Sequence, residues 1–247
     1  MSSVSNEPQT SSVWSRVASY AVPPAAAAAA IVPTYYGFVV KSALQTGQPF
    51  PSMTMREALM GGFKAAPTIG TIVGTQLLVD EYVGKQIAMF LRERGVDSEL
   101  AAKFLSAVVV GAVSVPPLVV FNGQTMKQTA WESLMALSLK QAAAVVTRES
   151  TFVFSLGASA FVKAKMSEFA GENKAVEYGS AFVSGVIGSV VGHPADTALT
   201  LWQKKMEVEG LRQLMRGGLY KAGAVGVFSA LYTGLKKGLG STRVDEG

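Results

Sequence analysis

The chain of 247 residues contains no cysteine and a single histidine, His193. Without cysteine there is no disulfide scaffold, no thiolate metal site and no thiol nucleophile. One imidazole cannot supply the clusters of histidines found at zinc sites or in acid–base relays. No other candidate nucleophile is accompanied by a base that could activate it. The sequence therefore predicts a protein that is not an enzyme and that binds no metal.

Charged residues are also scarce. They make up 16% of the chain, against about a quarter in ordinary soluble domains, while 49% of residues are hydrophobic and the mean hydropathy is +0.30. This composition predicts a membrane protein. The net charge of +5 does not indicate nucleic-acid binding, because the basic residues are scattered among apolar segments and form no stripe with aromatic partners.

The first residues, Met1 to Ser12, are rich in serine, and no basic residue precedes Arg16. This pattern is neither a secretory signal nor an Arg-rich transit peptide, so we expect any targeting information to be internal. Residues 1–14 and 241–247 are predicted to be disordered tails around a single domain spanning 15–240.

Six stretches of about 20 to 29 residues are long enough to cross a bilayer of roughly 30 Å. Charged residues lie inside several of them, and such residues usually face the interior of a helix bundle. The six predicted spans are Val17–Leu44, Phe63–Leu91, Ala101–Asn122, Ala142–Lys165, Ser180–Gln203 and Gly218–Leu239.

A proline recurs in the odd-numbered spans and predicts three repeats. Pro33, Pro117 and Pro194 are 84 and 77 residues apart, and each is expected to kink its helix. A basic residue follows each proline by 31, 31 and 27 residues, and these residues are Lys64, Arg148 and Lys221.

These residues resemble the mitochondrial carrier family, whose chain is three tandem repeats of two spanning helices. The clearest similarity is in the third repeat, where Gly192–Gln203 reads GHPADTALTLWQ and Glu209–Gly217 reads EGLRQLMRG. In the first repeat, Gly61–Pro67 resembles the start of the family's second helix. The resemblance implies an all-α membrane protein with six transmembrane helices in three pseudo-repeats, at about 15–92, 98–168 and 175–239.

The family closes one end of its cavity with salt bridges between repeats, and the resemblance implies that this chain has lost most of them. The positions that are acidic in the family hold Tyr35, Val119 and Asp196, and the basic positions hold Phe38, Asn122 and Leu199. Asp196 and Gln203 therefore look like the remnant of a gate, and Asp196 is expected to lack a partner at a matching position. At the opposite end no pair is complete, although Asp80 and Glu81 leave open a displaced gate.

Lys64, Arg148 and Lys221 fall where the family's even-numbered helices contact substrate. The resemblance implies that these three residues bind an anionic solute, if the protein is a transporter. The alternative is that they hold the phosphate of a structural phospholipid such as cardiolipin, or pair with Glu149 and Asp196. No other cofactor is expected.

The connecting segments 41–62, 123–141 and 204–217 contain eight basic and four acidic residues. Since positively charged loops stay on the side that retains them, these segments are predicted to face the mitochondrial matrix.

Two functions remain from the sequence, both for a multi-pass protein of the mitochondrial inner membrane. The degenerate gate favours an accessory, structural subunit of a large membrane complex, such as a respiratory complex, with membrane lipids and other subunits as partners. A conformational cycle needs two states of similar free energy, and a lost gate removes one of them. The alternative is a transporter that exchanges a small anionic metabolite.

Overall fold

The structure is a computed structural model that describes residues 13–157 and 159–241, without the side chains of 13–16, 80, 99–100, 153–160 and 241. Residues 1–12 and 242–247 of the expected tails and the side chain of Asp80 therefore lie outside the described residues, whereas residues 13, 14 and 241 are helical. Within them the fold is all-α, as predicted. The helices are α1 (Val13–Gln45), α2 (Met55–Glu93), α3 (Glu99–Val113), α4 (Val115–Thr125), α5 (Ala130–Met135), α6 (Leu139–Gly157), α7 (Ser159–Ala170), α8 (Lys174–Val191), α9 (His193–Gln203), α10 (Leu211–Leu214) and α11 (Gly218–Ser241).

Two helices begin with the same capping box. The hydroxyl of Thr54 accepts a hydrogen bond from the backbone N–H of Glu57, whose carboxylate accepts one from the backbone N–H of Thr54. Thr129 and Glu132 repeat this arrangement at the start of α5. The backbone hydrogen bonds stabilise the ionised carboxylates, so they lower the pKa of Glu57 and of Glu132 below the usual value.

Helices α1, α4 and α9 end in the same turn, which also ends α2 at Gly95. Gly47, Lys127 and Lys205 have positive φ angles of 71°, 63° and 57° and follow α1, α4 and α9. In each turn the left-handed residue donates its N–H to the carbonyl three residues back, and the next residue donates to the carbonyl five back. These bonds define a Schellman motif. Its recurrence at intervals of 80 and 78 residues gives a structural register for comparing the three segments.

The three prolines that were expected to kink their helices differ in two ways: in whether the helix breaks there, and in their distance from the turn that ends it. Helix α1 continues through Pro33, whereas the chain bends by 60° between α3 and α4 and by 58° between α8 and α9. Pro194 lies 11 residues before its left-handed residue, Pro117 lies 10 before and Pro33 lies 14 before. Pro33 therefore does not lie at the same depth in the ring as Pro117, because it is a full helical turn farther from the end of its helix.

The long helices contact one another in a closed ring. Helix α1 packs against α2 and α11, α2 against α3 and α4, α3 against α6, α6 against α8 and α9, and α8 against α11. Small residues allow the backbones to approach closely. A Cβ atom on Gly62 would come within 2.6 Å of the backbone of Val32, and one on Gly185 within 2.3 Å of the Ser229 hydroxyl. The ring therefore depends on glycine at these contacts.

Helix α1, over Val17–Gln45, is long and apolar enough to cross a membrane by itself. The bent pairs α3–α4 and α8–α9 each meet the same criterion when they are counted as one span, which gives up to three spans among the described residues. The arrangement of six spans therefore stays a prediction.

Candidate functional site: a buried polar network

The carboxylate of Asp196, in the first turn of α9, is the centre of a buried ionic cluster. Its side chain is 1% exposed, and it contacts three cations from three other helices. The Lys41 ammonium lies 3.0 Å from Oδ2, an Arg148 guanidinium nitrogen lies 3.0 Å from Oδ1, and the Lys221 ammonium lies 3.6 Å from Oδ2. Asp196 therefore joins α1, α6 and α11 to α9. None of these partners stands at a matching position of the family motif, and the contacts with Arg148 and Lys221 agree with the alternative that these bases pair with Asp196.

Uncharged side chains extend this cluster toward the Schellman turns. The Lys41 ammonium also donates to Oδ1 of Asn122 at 3.0 Å. The amide nitrogen of Asn122 donates to Thr200 at 3.2 Å and to Gln203 at 2.5 Å. Gln203 in turn donates to the backbone carbonyl of Val119 at 2.9 Å. Gln203 thus belongs to the network, but it acts through Asn122 and not through Asp196.

These hydrogen bonds connect α1, α4 and α9 in a cycle. The hydroxyls of Ser42 and Thr125 share a hydrogen bond of 2.7 Å between α1 and α4. Asn122 connects α4 to α9, and Gln45 returns from α9 to α1 by donating to Asp196 at 3.1 Å and to Thr197 at 2.9 Å. A cyclic network of hydrogen bonds therefore exists, although the family's salt bridges between repeats were predicted to be mostly lost. Neutral amides and hydroxyls make most of its contacts.

The register of the three turns explains why these residues meet. Two residues before each left-handed residue stand Gln45, Thr125 and Gln203, and five residues before it stand Ser42, Asn122 and Thr200. All six side chains are buried. Because equivalent residues lie at similar depth, they form two polar layers across the same end of the ring. The loops beyond them also converge, since Lys204 donates to the carbonyl of Met126.

A cavity of about 100 Å³ adjoins the ionic cluster on its inner side. Five charged residues line it, and the rest of the lining is mainly aliphatic and aromatic; the five are Lys41, Arg148, Glu149, Asp196 and Lys221. Glu149 is held from two sides: Arg148 Nε lies 3.3 Å from Oε1, and Gln76 donates to Oε2 at 3.0 Å. Gln76 also donates to the Ser114 hydroxyl, which lies at the bend between α3 and α4. The cavity is therefore bounded by charged groups with fixed partners.

The structure brings together two of the three bases that the sequence singled out. Arg148 and Lys221 meet at Asp196, but Lys64 is exposed and does not line the cavity. Helix α2 buries Gly62, Ala65 and Ile69, and Lys64 lies on a different face of the helix. The third cation of the cluster is Lys41, which sequence reasoning placed in a connecting segment. Lys41 is 2% exposed and lies within α1.

The opposite end of the ring is held differently. Tyr20 donates to Glu81 between α1 and α2, Lys237 pairs with Glu177 between α11 and α8, and Lys165 pairs with Glu168 within α7. Each of these contacts stays within one predicted repeat. Glu81, proposed as part of a displaced gate, thus bonds to its own repeat.

A further sequence repeat lies in the three connecting segments, and the prediction of repeats from the prolines did not use it. Residues 54–60, 129–135 and 209–215 read TMREALM, TAWESLM and EGLRQLM. They begin nine, four and six residues after the last residues of α1, α4 and α9. The Leu-Met pair recurs in all three, and the threonine and glutamate of the first two copies form the capping boxes. This pattern identifies the three connecting segments as equivalent without reference to the prolines.

Comparisons with known proteins add no family assignment. No protein-family model matches the chain, and no curated protein matches it significantly.

Proposed function

We propose that the chain is an integral membrane protein with a divergent mitochondrial-carrier fold, six spanning helices in three pseudo-repeats, and the role of an accessory subunit in a large inner-membrane complex. Two features support this proposal: the distribution of apolar residues over the ring, and the difference between its two ends.

Helix α8 shows the distribution most clearly. It buries Ser180, Ser184, Gly185, Gly188 and Ser189 against its neighbours. On its outer face the larger apolar residues are exposed, namely Phe182, Val183, Ile187, Val190 and Val191. Water would favour the reverse arrangement, and contiguous exposed apolar surface is typical of contact with lipid or with another protein. Small and polar residues at helix contacts are likewise typical of membrane bundles.

The difference between the two ends of the helix ring supports the proposed accessory role. One end is closed by a buried network that crosses all three predicted repeats through Asp196, Asn122 and Gln45. At the other end the described ion pairs join residues of a single repeat. Alternating access requires a second closed state of similar free energy, stabilised by contacts between repeats at the other end. A ring whose buried network ties all three predicted repeats together at one end fits a static subunit.

Purification from native membranes in a mild detergent tests this role. We expect the chain in a large assembly at a fixed stoichiometry, as measured by native mass spectrometry. Recovery of a free monomer, with the network intact in the same sample, would contradict the accessory role.

The alternative function, exchange of a small anionic metabolite, is favoured by the presence of Arg148 and Lys221 at the cavity. Protein reconstituted into liposomes should be tested for uptake of labelled anions. A transporter should lose saturable exchange in Arg148→Ala and Lys221→Ala and retain it in Lys64→Ala, because Lys64 is exposed and does not line the cavity. A structural subunit should show no exchange above that of empty liposomes.

The proposed orientation places the closed end toward the matrix. Lys41 is buried in α1, which leaves seven bases and four acids in the connecting segments and keeps their charge positive. Protease added to inner-membrane vesicles with the outer face exposed should spare these segments. Cleavage within 204–217 under those conditions would reverse the orientation.

A further inference from the structure

The buried cluster carries more positive than negative charge. Three cations, Lys41, Arg148 and Lys221, face two carboxylates, Asp196 and Glu149. All five groups are buried or nearly so, with side-chain exposures between 1% and 14%. A net buried charge is unfavourable unless a counter-ion or hydrogen bonds offset it. The question is therefore which cation has donors left to bind an additional group.

Lys221 is that cation. The Lys41 ammonium has hydrogen bonds to Asn122 and Asp196, and Arg148 has close contacts with both carboxylates. The Lys221 ammonium lies 3.6 Å from Asp196, beyond the length of a normal hydrogen bond, although its side chain is only 5% exposed. An ammonium has three donors. Because Lys221 lines the cavity, these donors can reach a group held there.

The cavity beside Lys221 limits what those donors can bind. Its volume of about 100 Å³ has room for several water molecules, at ~10–15 Å³ each. Pockets for metabolite-sized ligands are roughly 300–1,000 Å³. The lining beyond the charged groups is mainly apolar, with Ile72, Val225 and Phe228 among its residues, and its uncharged polar members are Gln76, Asn122 and Ser189. A ligand here must therefore be small and have a single negative charge.

We propose that this cavity holds one small inorganic anion of the chloride class, bound by the Lys221 ammonium and the adjacent Arg148 guanidinium. The anion is a fixed counter-ion that balances the cluster around Asp196. This inference does not depend on the accessory role. It concerns a bound structural ion and requires neither transport nor a partner protein.

The test uses the purified full chain in detergent at constant ionic strength, with sodium chloride exchanged for sodium gluconate. The midpoint of thermal unfolding should rise with chloride and saturate, and bromide and nitrate should act in the same way. Gluconate should have no such effect because it is too large for the cavity. A non-specific salt effect would instead continue to grow with concentration and would not distinguish anions by size.

Two matched variants locate the site. Lys221→Met removes the ammonium with little change in volume and should raise the half-maximal chloride concentration by at least about tenfold, which is ~1.4 kcal/mol. Lys64→Met removes an exposed lysine from the equivalent repeat and should keep the wild-type response. An equal chloride response in Lys221→Met would overturn the proposal.

Measurements on the unmodified chain keep the test independent of how well Lys221→Met folds. The chloride-35 NMR line should broaden in the presence of the protein, and bromide should reverse the broadening by competition. Absence of broadening, together with an unfolding midpoint indifferent to chloride, would show that the cavity holds water only and that the cluster is balanced without an anion.

Discussion

Substitution of Asp196 by asparagine tests the buried network most directly. Asparagine has nearly the same size and shape, so Asp196→Asn removes the negative charge and leaves the packing of α9 unchanged. Lys41 and Arg148 would both lose the negative charge, and one of them would lose its oxygen at 3.0 Å to the amide nitrogen, while both remain buried. The amide could also direct its N–H groups toward these cations, which would add repulsion.

The expected loss is large because a buried charge without its partner is costly. Removing one member of a buried pair typically destabilises a protein by ~3–5 kcal/mol. Here one carboxylate serves three cations, so we expect the free energy of unfolding to fall by at least ~3 kcal/mol. For a chain of this length, that corresponds to a decrease in Tm of roughly 6–12 °C, at about 2–4 °C per kcal/mol.

Thermal and denaturant-induced unfolding of detergent-solubilised protein would measure this loss. The matched control is Glu168→Gln, the same chemical change at an exposed carboxylate that pairs with Lys165. Exposed pairs contribute about 0–1 kcal/mol, so the control should differ little from wild type. Adding Lys41→Met to Asp196→Asn should recover part of the lost stability, because it removes one unpaired buried cation.

The reasoning is refuted if Asp196→Asn lowers stability no more than Glu168→Gln does. A second contrary result would be an Asp196→Asn/Lys41→Met protein less stable than Asp196→Asn alone, since the lysine would then be stabilising without its carboxylate.

Three further predictions concern the helix ends and contacts, and all can be measured by unfolding or NMR titration. Lys127→Gly should raise the free energy of unfolding by about 0.5–1 kcal/mol, because a left-handed conformation costs lysine ~1–2 kcal/mol. Glycine's greater freedom in the unfolded chain offsets part of that gain. A loss of stability would contradict this prediction. Gly62→Ala should destabilise by about 1–3 kcal/mol, since its Cβ would meet the backbone of Val32 at 2.6 Å, whereas Gly223→Ala, with nothing within 4 Å, should be neutral or stabilising. Thr54→Val should raise the pKa of Glu57 part of the way toward its ordinary value, because valine keeps the backbone N–H, the larger cause of the shift, and loses the hydroxyl that donates to the carboxylate. In wild type the lowered pKa contributes stability that is present above the unfolded-state pKa and lost as the pH falls through the folded-state pKa. An unchanged pKa would show that the hydroxyl does not contribute to the shift.

The sequence alone determined the features that depend on composition and on local chemistry. The scarcity of charge predicted a membrane protein, and the resemblance to the mitochondrial carriers implied an all-α fold, of which the structure confirms the helices. Capping residues such as Thr54 and Thr129 define helix starts through hydrogen bonds to residues three positions away, so their effect can be read locally. The bend before Pro194 likewise follows from a missing backbone donor. The Leu-Met repeat is also visible in the sequence, although the three repeats were predicted from the prolines instead.

Only the tertiary structure decided which polar side chains meet. Lys41 lies eight residues after Pro33, whereas the family's motif places its second base seven residues after the proline. A difference of one residue rotates a side chain by about 100° around a helix, so Lys41 did not match the motif. Because α1 passes through Pro33 without a break, its register is set by the turn at Gly47, and that register directs Lys41 and Gln45 toward Asp196. Lys64 matched the sequence pattern better, yet the burial of Gly62 and Ala65 leaves it exposed. The members of the cluster come from four helices, separated by as many as 180 residues, and the packing of helix faces alone brings them within 3.6 Å of one carboxylate.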